Sequence, residues 1–297
     1  MQPAPERARM TVLEAIQKST AFLERKGVEQ PRYQSEMLLA HVMGLARLQL
    51  YLRYADGVDA PAVERLRQLV VRRGNREPLQ HLLGTVSFCG RELLTGPQAL
   101  IPRPETELLA ERASQWLRAF PGAAPRVLDF GTGSGCLAIC AALACPAAQV
   151  AAVDISREAL ELARQNAARH GLGDRIRFCL SDGFTGLDEG SAFDLIVANP
   201  PYIPTGEIAE LAPEVRDHDP RLALDGGPDG LRFYRLLAAE ARQRLHPGGC
   251  LLMEIGAGQA RAVAGLFAEK NWVVEAVEQD YSGIERIIKV QPSTDRA

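Results

Sequence analysis

Between residues 126 and 154 the chain reads strand, glycine loop, helix, strand, and few folds accommodate that order. Arg126-Val127-Leu128-Asp129-Phe130 is a short apolar run that enters Gly131-Thr132-Gly133-Ser134-Gly135, and Cys136 to Ala144 continues as a helix. A second strand, Gln149-Val150-Ala151-Ala152-Val153, ends in Asp154. Strands alternating with helices form a mostly parallel sheet covered on both faces, and ligands bind at the carboxyl ends of its strands. Glycines there let the backbone approach a ligand that faces a helix N-terminus; read alone, the same cluster is also an ordinary tight turn. The spacing is Gly-x-Gly-x-Gly followed by Cys136, so the dinucleotide pattern is not met.

The alternation continues as helix 157–169, strand 176–180, strand 193–198, helix 231–245, strand 250–255, helix 258–269 and strands 272–277 and 285–290. Asp280-Tyr281-Ser282-Gly283 is too short for a crossover, so the final strand is expected to run antiparallel. The fold class expected is α/β: a seven-stranded, mostly parallel, Rossmann-like sheet with a small N-terminal helical domain. That domain is placed at residues 1–80, on helix-period apolar positions in Thr11–Lys26, Gln34–Met43 and Asp59–Arg73, with Asp59 as N-cap and Pro61 in the first turn. Residues 81–100 carry strand-like pieces broken by Gly84, Gly90 and Gly96 and read as a β-hairpin linker. The α/β domain then occupies 101–297, its first helix at Thr106–Phe120. Residues 203–230 form a long connection rich in proline, glycine and charge, expected to act as a lid.

Strand ends supply the candidate site. Asp154 can accept hydrogen bonds from ribose hydroxyls, or it caps the next helix, a role that Ser156 can fill instead. Ile176-Arg177-Phe178-Cys179-Leu180 ends in Ser181-Asp182, and Asp182 can accept from an adenine amino group. Acids in this register point to an adenosine ligand without a pyrophosphate. Downstream, Phe193 to Ala198 runs into Asn199-Pro200-Pro201-Tyr202. The Asn199 side-chain oxygen and the Pro200 carbonyl both accept hydrogen bonds, proline helps fix its carbonyl's direction, and Tyr202 can lay a ring against a flat group. Such a site grips a planar –NH2; the competing reading is a proline turn.

Composition bounds the rest. Apolar residues make up 46% of 297, enough for a full core, and the net charge of −3 argues against duplex DNA as the main partner. Residues 1–80 hold 13 Lys and Arg against 9 Asp and Glu, much of the excess from Arg65, Arg67, Arg72, Arg73 and Arg76. This is either a solvated helix face or a docking surface for an acidic protein or RNA. The six cysteines form no Cys-x-x-Cys and the five histidines show no ligand spacing, so no metal is expected, and reduced cysteines fit a cytoplasmic location. The first residues have no apolar core and no run reaches the ~18 residues of a membrane span.

Several segments together carry a family resemblance: Glu77-Pro78-Leu79-Gln80, Ile101-Pro102-Arg103-Pro104-Glu105-Thr106-Glu107, Asp129 to Gly135, Asn199-Pro200-Pro201-Tyr202-Ile203, Asp219 to Leu224, Gly226 to Leu231, and Glu254-Ile255-Gly256. Over roughly residues 75–290 the chain resembles class I S-adenosylmethionine-dependent methyltransferases, and among them the peptide chain release factor glutamine N5-methyltransferases. The resemblance implies that Gly131, Thr132, Gly133, Ser134, Gly135, Asp154, Asp182, Gly183 and Asn199 hold S-adenosylmethionine, leaving S-adenosylhomocysteine as product. It implies that Asn199, Pro200 and Tyr202 are catalytic and, with Pro201, hold the glutamine amide. The substrate implied is the Gly-Gly-Gln loop of a class 1 release factor, bound with help from residues 1–80 by a monomeric enzyme with no stable nucleic-acid partner. Gly183 stands where many members carry a tryptophan against the cofactor, and Phe184 is the nearest replacement. Cys89 replaces a common tyrosine. Rival readings are a glutamine methyltransferase of a ribosomal protein, which the Pro104-Glu105-Thr106-Glu107 segment disfavours, an adenine-N6 nucleic-acid methyltransferase, and a non-catalytic cofactor-binding adaptor.

Overall fold

The computed structural model describes residues 10–293, which divide into two compact units. One is the chain up to Gly84 together with Pro213–His218; the other is Thr85–Ala212 and the chain from Asp219 onward.

The first unit contains α1 (Val12–Arg25), α2 (Pro31–Met43), α3 (Arg47–Tyr51), α4 (Ala60–Gly74) and α5 (Leu79–Leu83). Thr11 starts α1 through a capping box: its hydroxyl accepts from the Glu14 amide at 3.2 Å, and the Glu14 carboxylate accepts from the Thr11 amide at 2.9 Å. Asp59 caps α4 by accepting from the Ala62 amide at 2.7 Å. The apolar stripe Val12, Ile16 and Leu23 buries against Leu38, Leu39, Leu50 and Leu66. Glu36 is buried among these helices, where it accepts from Arg47 at 2.7 Å, Tyr51 at 2.9 Å and Arg32 at 3.0 Å. Burial pushes its carboxyl up, but these bonds outweigh burial and hold it below the ordinary glutamate range.

The arginine-rich stretch is largely committed within this unit. Arg73, only 4% exposed, donates to Glu214 at 2.7 Å, to Gln34 at 2.5 Å and to the Glu77 carbonyl at 3.2 Å. Arg76 reaches the second Glu214 oxygen at 2.9 Å, and Arg72 pairs with Glu77 at 2.5 Å. Arg65 and Arg67 remain on the exposed face of α4.

The second unit opens with a hairpin, β1 (Thr85–Phe88) and β2 (Arg91–Leu94), whose turn residues Cys89 and Gly90 both have positive φ. Then come α6 (Pro104–Ala119), β3 (Arg126–Phe130), α7 (Cys136–Ala144), β4 (Gln149–Asp154), α8 (Arg157–Arg169), β5 (Ile176–Leu180) and β6 (Phe193–Ala198). After α9 (Pro213–Arg216), which belongs to the first unit, follow α10 (Arg221–Leu224), α11 (Arg232–Glu240), β7 (Leu245–Glu254), α12 (Ala260–Ala268), β8 (Trp272–Gln279) and β9 (Glu285–Pro292). The seven strands lie in the order β5-β4-β3-β6-β7-β9-β8; β9 is antiparallel to both neighbours and the other pairs are parallel. Along β3, Val127 points into one apolar layer with Leu109 and Leu137, and Leu128 into the other with Ile196 and Tyr234. Between β3 and β6 the strand order reverses. The chain steps outward through β4 and β5 and returns to β6, so Phe130 and Ala198 are paired neighbours. That switch point brings the glycine loop and Asn199 together.

Several element boundaries differ from the sequence expectation by a few residues, and the largest shifts lie between α11 and β7. The helix over 231–245 ends at Glu240, followed by a 3-10 turn, and β7 begins at Leu245. Pro247-Gly248-Gly249 hides this first half of the strand, and a register shift opposite Phe193–Leu195 accommodates it.

Candidate active site

A single cavity at the switch point is lined by the glycine loop (Gly131, Thr132, Gly133, Ser134), by Asp154, Asp182 and Gly183, and by Asn199, Pro200 and Pro201. Gly135 and Tyr202 lie outside its lining. Gly135 is left-handed at the N-terminus of α7, where a Cβ would stand 3.1 Å from that of Ala163, so it serves helix packing. The Tyr202 hydroxyl is 3.5 Å from a Glu254 oxygen, and its carbonyl accepts from Gln259 at 2.9 Å.

The loop is built from β3 and β4. Amides of Gly131 and Thr132 donate to the Val153 carbonyl at 3.0 and 2.9 Å. The Gly133 amide donates to one Asp154 oxygen at 2.8 Å and the Ser156 amide to the other at 2.9 Å. Ser156, not Asp154, caps α8 by accepting from the Ala159 amide at 3.1 Å. The Asp154 carboxylate faces the cavity with lone pairs to spare. Burial raises its pKa against the amide bonds that lower it. Asp129 sits beneath the loop, fully buried; its Oδ2 accepts from the Thr132 hydroxyl at 2.6 Å and the Ala138 amide at 2.9 Å, while Oδ1 takes no donor among the described residues. Burial pushes this carboxyl up to about 7. A glycine cradle and a strand-end acid with lone pairs facing the cavity suit a ligand with ribose hydroxyls, which S-adenosylmethionine has.

Phe184 does not take the place of the missing tryptophan at Gly183. Its ring packs on Phe130 with centroids 5.0 Å apart, inside the apolar layer, and the aromatic side chain from α11 that lines the cavity is Phe233. Further lining comes from Ala99, Leu100, Pro102, Arg103 and Thr106 before and within α6, and from Pro220, Leu222 and Ala223 around α10. Arg103 donates to the buried Asp219 carboxylate at 2.5 Å. These residues sit in segments that stand out in the sequence, but no spacing rule assigns them a role.

At the amide end, Asn199 Nδ2 donates to Thr106 Oγ1 at 3.0 Å, and the Thr106 hydroxyl donates to Glu254 Oε2 at 2.7 Å. Among the described residues, neither Asn199 Oδ1 nor the Pro200 carbonyl accepts a hydrogen bond. The backbone here is held from below by Gly230, whose φ is +75°; a Cβ there would lie 2.3 Å from the Tyr202 carbonyl. Among the described residues, no group of side chains could hold a metal ion and no helix is long and apolar enough to cross a membrane.

Comparison with known proteins agrees with this geometry. A family model described as the PrmC N-terminal domain matches residues 14–84, and one described as a methyltransferase small domain matches residues 106–214. The release factor glutamine methyltransferase of Geobacter sulfurreducens is 44% identical over 280 residues, covering 94% of this chain and 95% of that protein. That of Deinococcus radiodurans is 43% identical over 282 residues, covering 95% and 99%. Among solved structures, a methyltransferase from Pyrococcus furiosus shares the fold with a TM-score of 0.51 at 19% identity, over 69% of this chain and 90% of that one.

Proposed function

The chain belongs to the release factor glutamine methyltransferase family, and we propose that it methylates the side-chain amide nitrogen of the glutamine in a release factor's Gly-Gly-Gln loop, with Asn199 and Pro200 as acceptors. The observation that carries this reading is the pair of acceptors without donors, Asn199 Oδ1 and the Pro200 carbonyl, on residues that line the same cavity as Asp154 and the glycine loop. S-adenosylmethionine, when bound, supplies a methyl group activated on a sulfonium.

A carboxamide nitrogen is a poor nucleophile because its lone pair is delocalised into the carbonyl. Acceptors that take both N–H bonds out of the amide plane favour the pyramidal nitrogen of the transition state. Holding that nitrogen in line with the methyl carbon is the other requirement. The nitrogen would take the methyl as the sulfonium carbon–sulfur bond breaks and leaves a neutral thioether; it becomes positive and therefore acidic, and sheds one proton to water without a strong base. Incubation with labelled cofactor and a class 1 release factor, followed by peptide mapping, should place the label on that glutamine; label on another residue overturns the assignment.

Asp154 is proposed to accept the ribose hydroxyls. Asp154→Ala should weaken S-adenosylmethionine binding by roughly 1–3 kcal/mol, as for loss of charge-assisted hydrogen bonds. Calorimetric titration at wild-type affinity would remove it from the site. The helical unit is proposed to help dock the release factor through the exposed arginines of α4. Arg65→Glu with Arg67→Glu should raise the KM for intact release factor several-fold and leave cofactor affinity unchanged, because rim charges act chiefly on encounter. An unaltered KM returns these side chains to the solvated-face reading.

A further inference from the structure

We propose that Thr106 and Glu254 are positioning residues which set the polarity of Asn199, so that its oxygen and not its NH2 faces the substrate amide. The inference rests on the reading of Asn199 as an amide acceptor and adds what makes it one. An asparagine side chain can present either end, and here the partner decides. A carboxylate at Glu254 can only accept, so the Thr106 hydroxyl spends its one proton on Oε2 at 2.7 Å. Thr106 then meets Asn199 only as an acceptor, at 3.0 Å, which draws Nδ2 inward and leaves Oδ1 outward.

The opposite polarity becomes available when Glu254 is protonated. Its hydroxyl then donates to Thr106, Thr106 donates to Asn199 Oδ1, and the NH2 turns toward a substrate that also offers N–H. Donor would face donor. Glu254 is 2% exposed at the end of β7. Burial raises its pKa to about 7 despite the Thr106 bond. Arg286 on β9 and the Tyr202 hydroxyl lower it, and Glu105, beside Thr106 on α6, raises it. From α11 the Tyr234 hydroxyl donates to the Glu254 main-chain carbonyl at 3.0 Å. The relay therefore switches near neutrality: Glu254 ionised and Asn199 correctly turned on the alkaline side, the reverse on the acid side.

The test is single-turnover methylation of a release factor at saturating cofactor, from about pH 6 to about pH 9. Wild type should lose rate toward acid with a midpoint near 7. Glu254→Gln, which presents either polarity at every pH, should be slower on the alkaline side and lack that acid limb. Thr106→Val should slow turnover about 10–100-fold across the range with cofactor affinity intact, the loss of an orienting contact to a catalytic group. Thr106→Ser, which keeps the hydroxyl, should come back within a few-fold of wild type. A Thr106→Val enzyme at wild-type rate overturns the relay, as does an acid limb that survives unchanged in Glu254→Gln. Asn199→Ala, run alongside, separates the two claims. If it is slow while Thr106→Val is fast, only the relay fails; if it is also fast, the acceptor reading itself fails.

Discussion

Asn199→Ala is expected to slow methyl transfer about 10²–10³-fold, the ~3–4 kcal/mol typical of losing one preorganised partner of a transition state. The Pro200 carbonyl remains, so the loss should stop short of inactivity. Because Asn199 stands at the end of β6 and is not fully buried, the variant should fold and bind cofactor. Asn199→Asp keeps an acceptor oxygen but places a negative charge near the sulfonium and turns the Nδ2 donor into an acceptor oxygen facing Thr106 Oγ1, whose proton is already given to Glu254. It should bind the cofactor at least as well and still turn over more slowly. Single-turnover rates at saturating cofactor and release factor decide. A rate within a few-fold of wild type would mean that Asn199-Pro200-Pro201-Tyr202 is a turn and that the nitrogen is activated elsewhere.

The second large effect concerns stability. Arg73 is buried in the helical unit with its guanidinium on Glu214, whose side chain is 19% exposed. Removing one partner of a buried pair typically costs about 3–5 kcal/mol because the other charge is stranded. Glu214 keeps some water and its contact with Arg76 at 2.9 Å, so Arg73→Ala should fall at or just below the bottom of that range, about 2–3 kcal/mol by denaturant unfolding. Burial pushes the Glu214 carboxyl up, but the Arg73 bond and the nearby guanidinium charges win and hold it below the ordinary range. A carboxylate with a lowered folded pKa contributes stability above its unfolded pKa, and that contribution is lost as pH falls through the folded one. Wild type should therefore lose stability on acidification more steeply than Arg73→Ala. Equal stability of the two proteins at neutral pH would show the pair to be energetically silent.

The residues that made the fold legible were those with local signals. Strands 126–130, 176–180 and 193–198 and helices 136–144 and 157–169 fall where the sequence places them. Buried parallel strands are nearly continuous apolar runs ended by glycine, aspartate or asparagine. Five-residue helices such as α3 and α5 are too short to show a period, and Pro247-Gly248-Gly249 masks the start of β7. At the site, the glycine loop, Asp154 and Asn199-Pro200-Pro201 were legible because each ends a strand at the switch point. The long-range partners were not. Thr106 and Glu254 beside Asn199 are 148 residues apart, and in the helical unit Arg73 and Glu214 are 141 apart; no periodicity links such pairs. Tyr202 illustrates the limit differently: its place in the motif suggests a wall for the amide, but nothing in the sequence announces that its hydroxyl lies 3.5 Å from Glu254 or that it packs against the apolar layer around Tyr234.

Most directly, the claim that Asn199 and Pro200 grip the target amide is tested by a structure of the enzyme with S-adenosylhomocysteine and a Gly-Gly-Gln peptide. The glutamine nitrogen should lie about 2.7–3.2 Å from both Asn199 Oδ1 and the Pro200 carbonyl oxygen, with Asn199 Nδ2 still on Thr106. A glutamine nitrogen bound away from these two oxygens, or an Asn199 turned to present its NH2, would contradict the account.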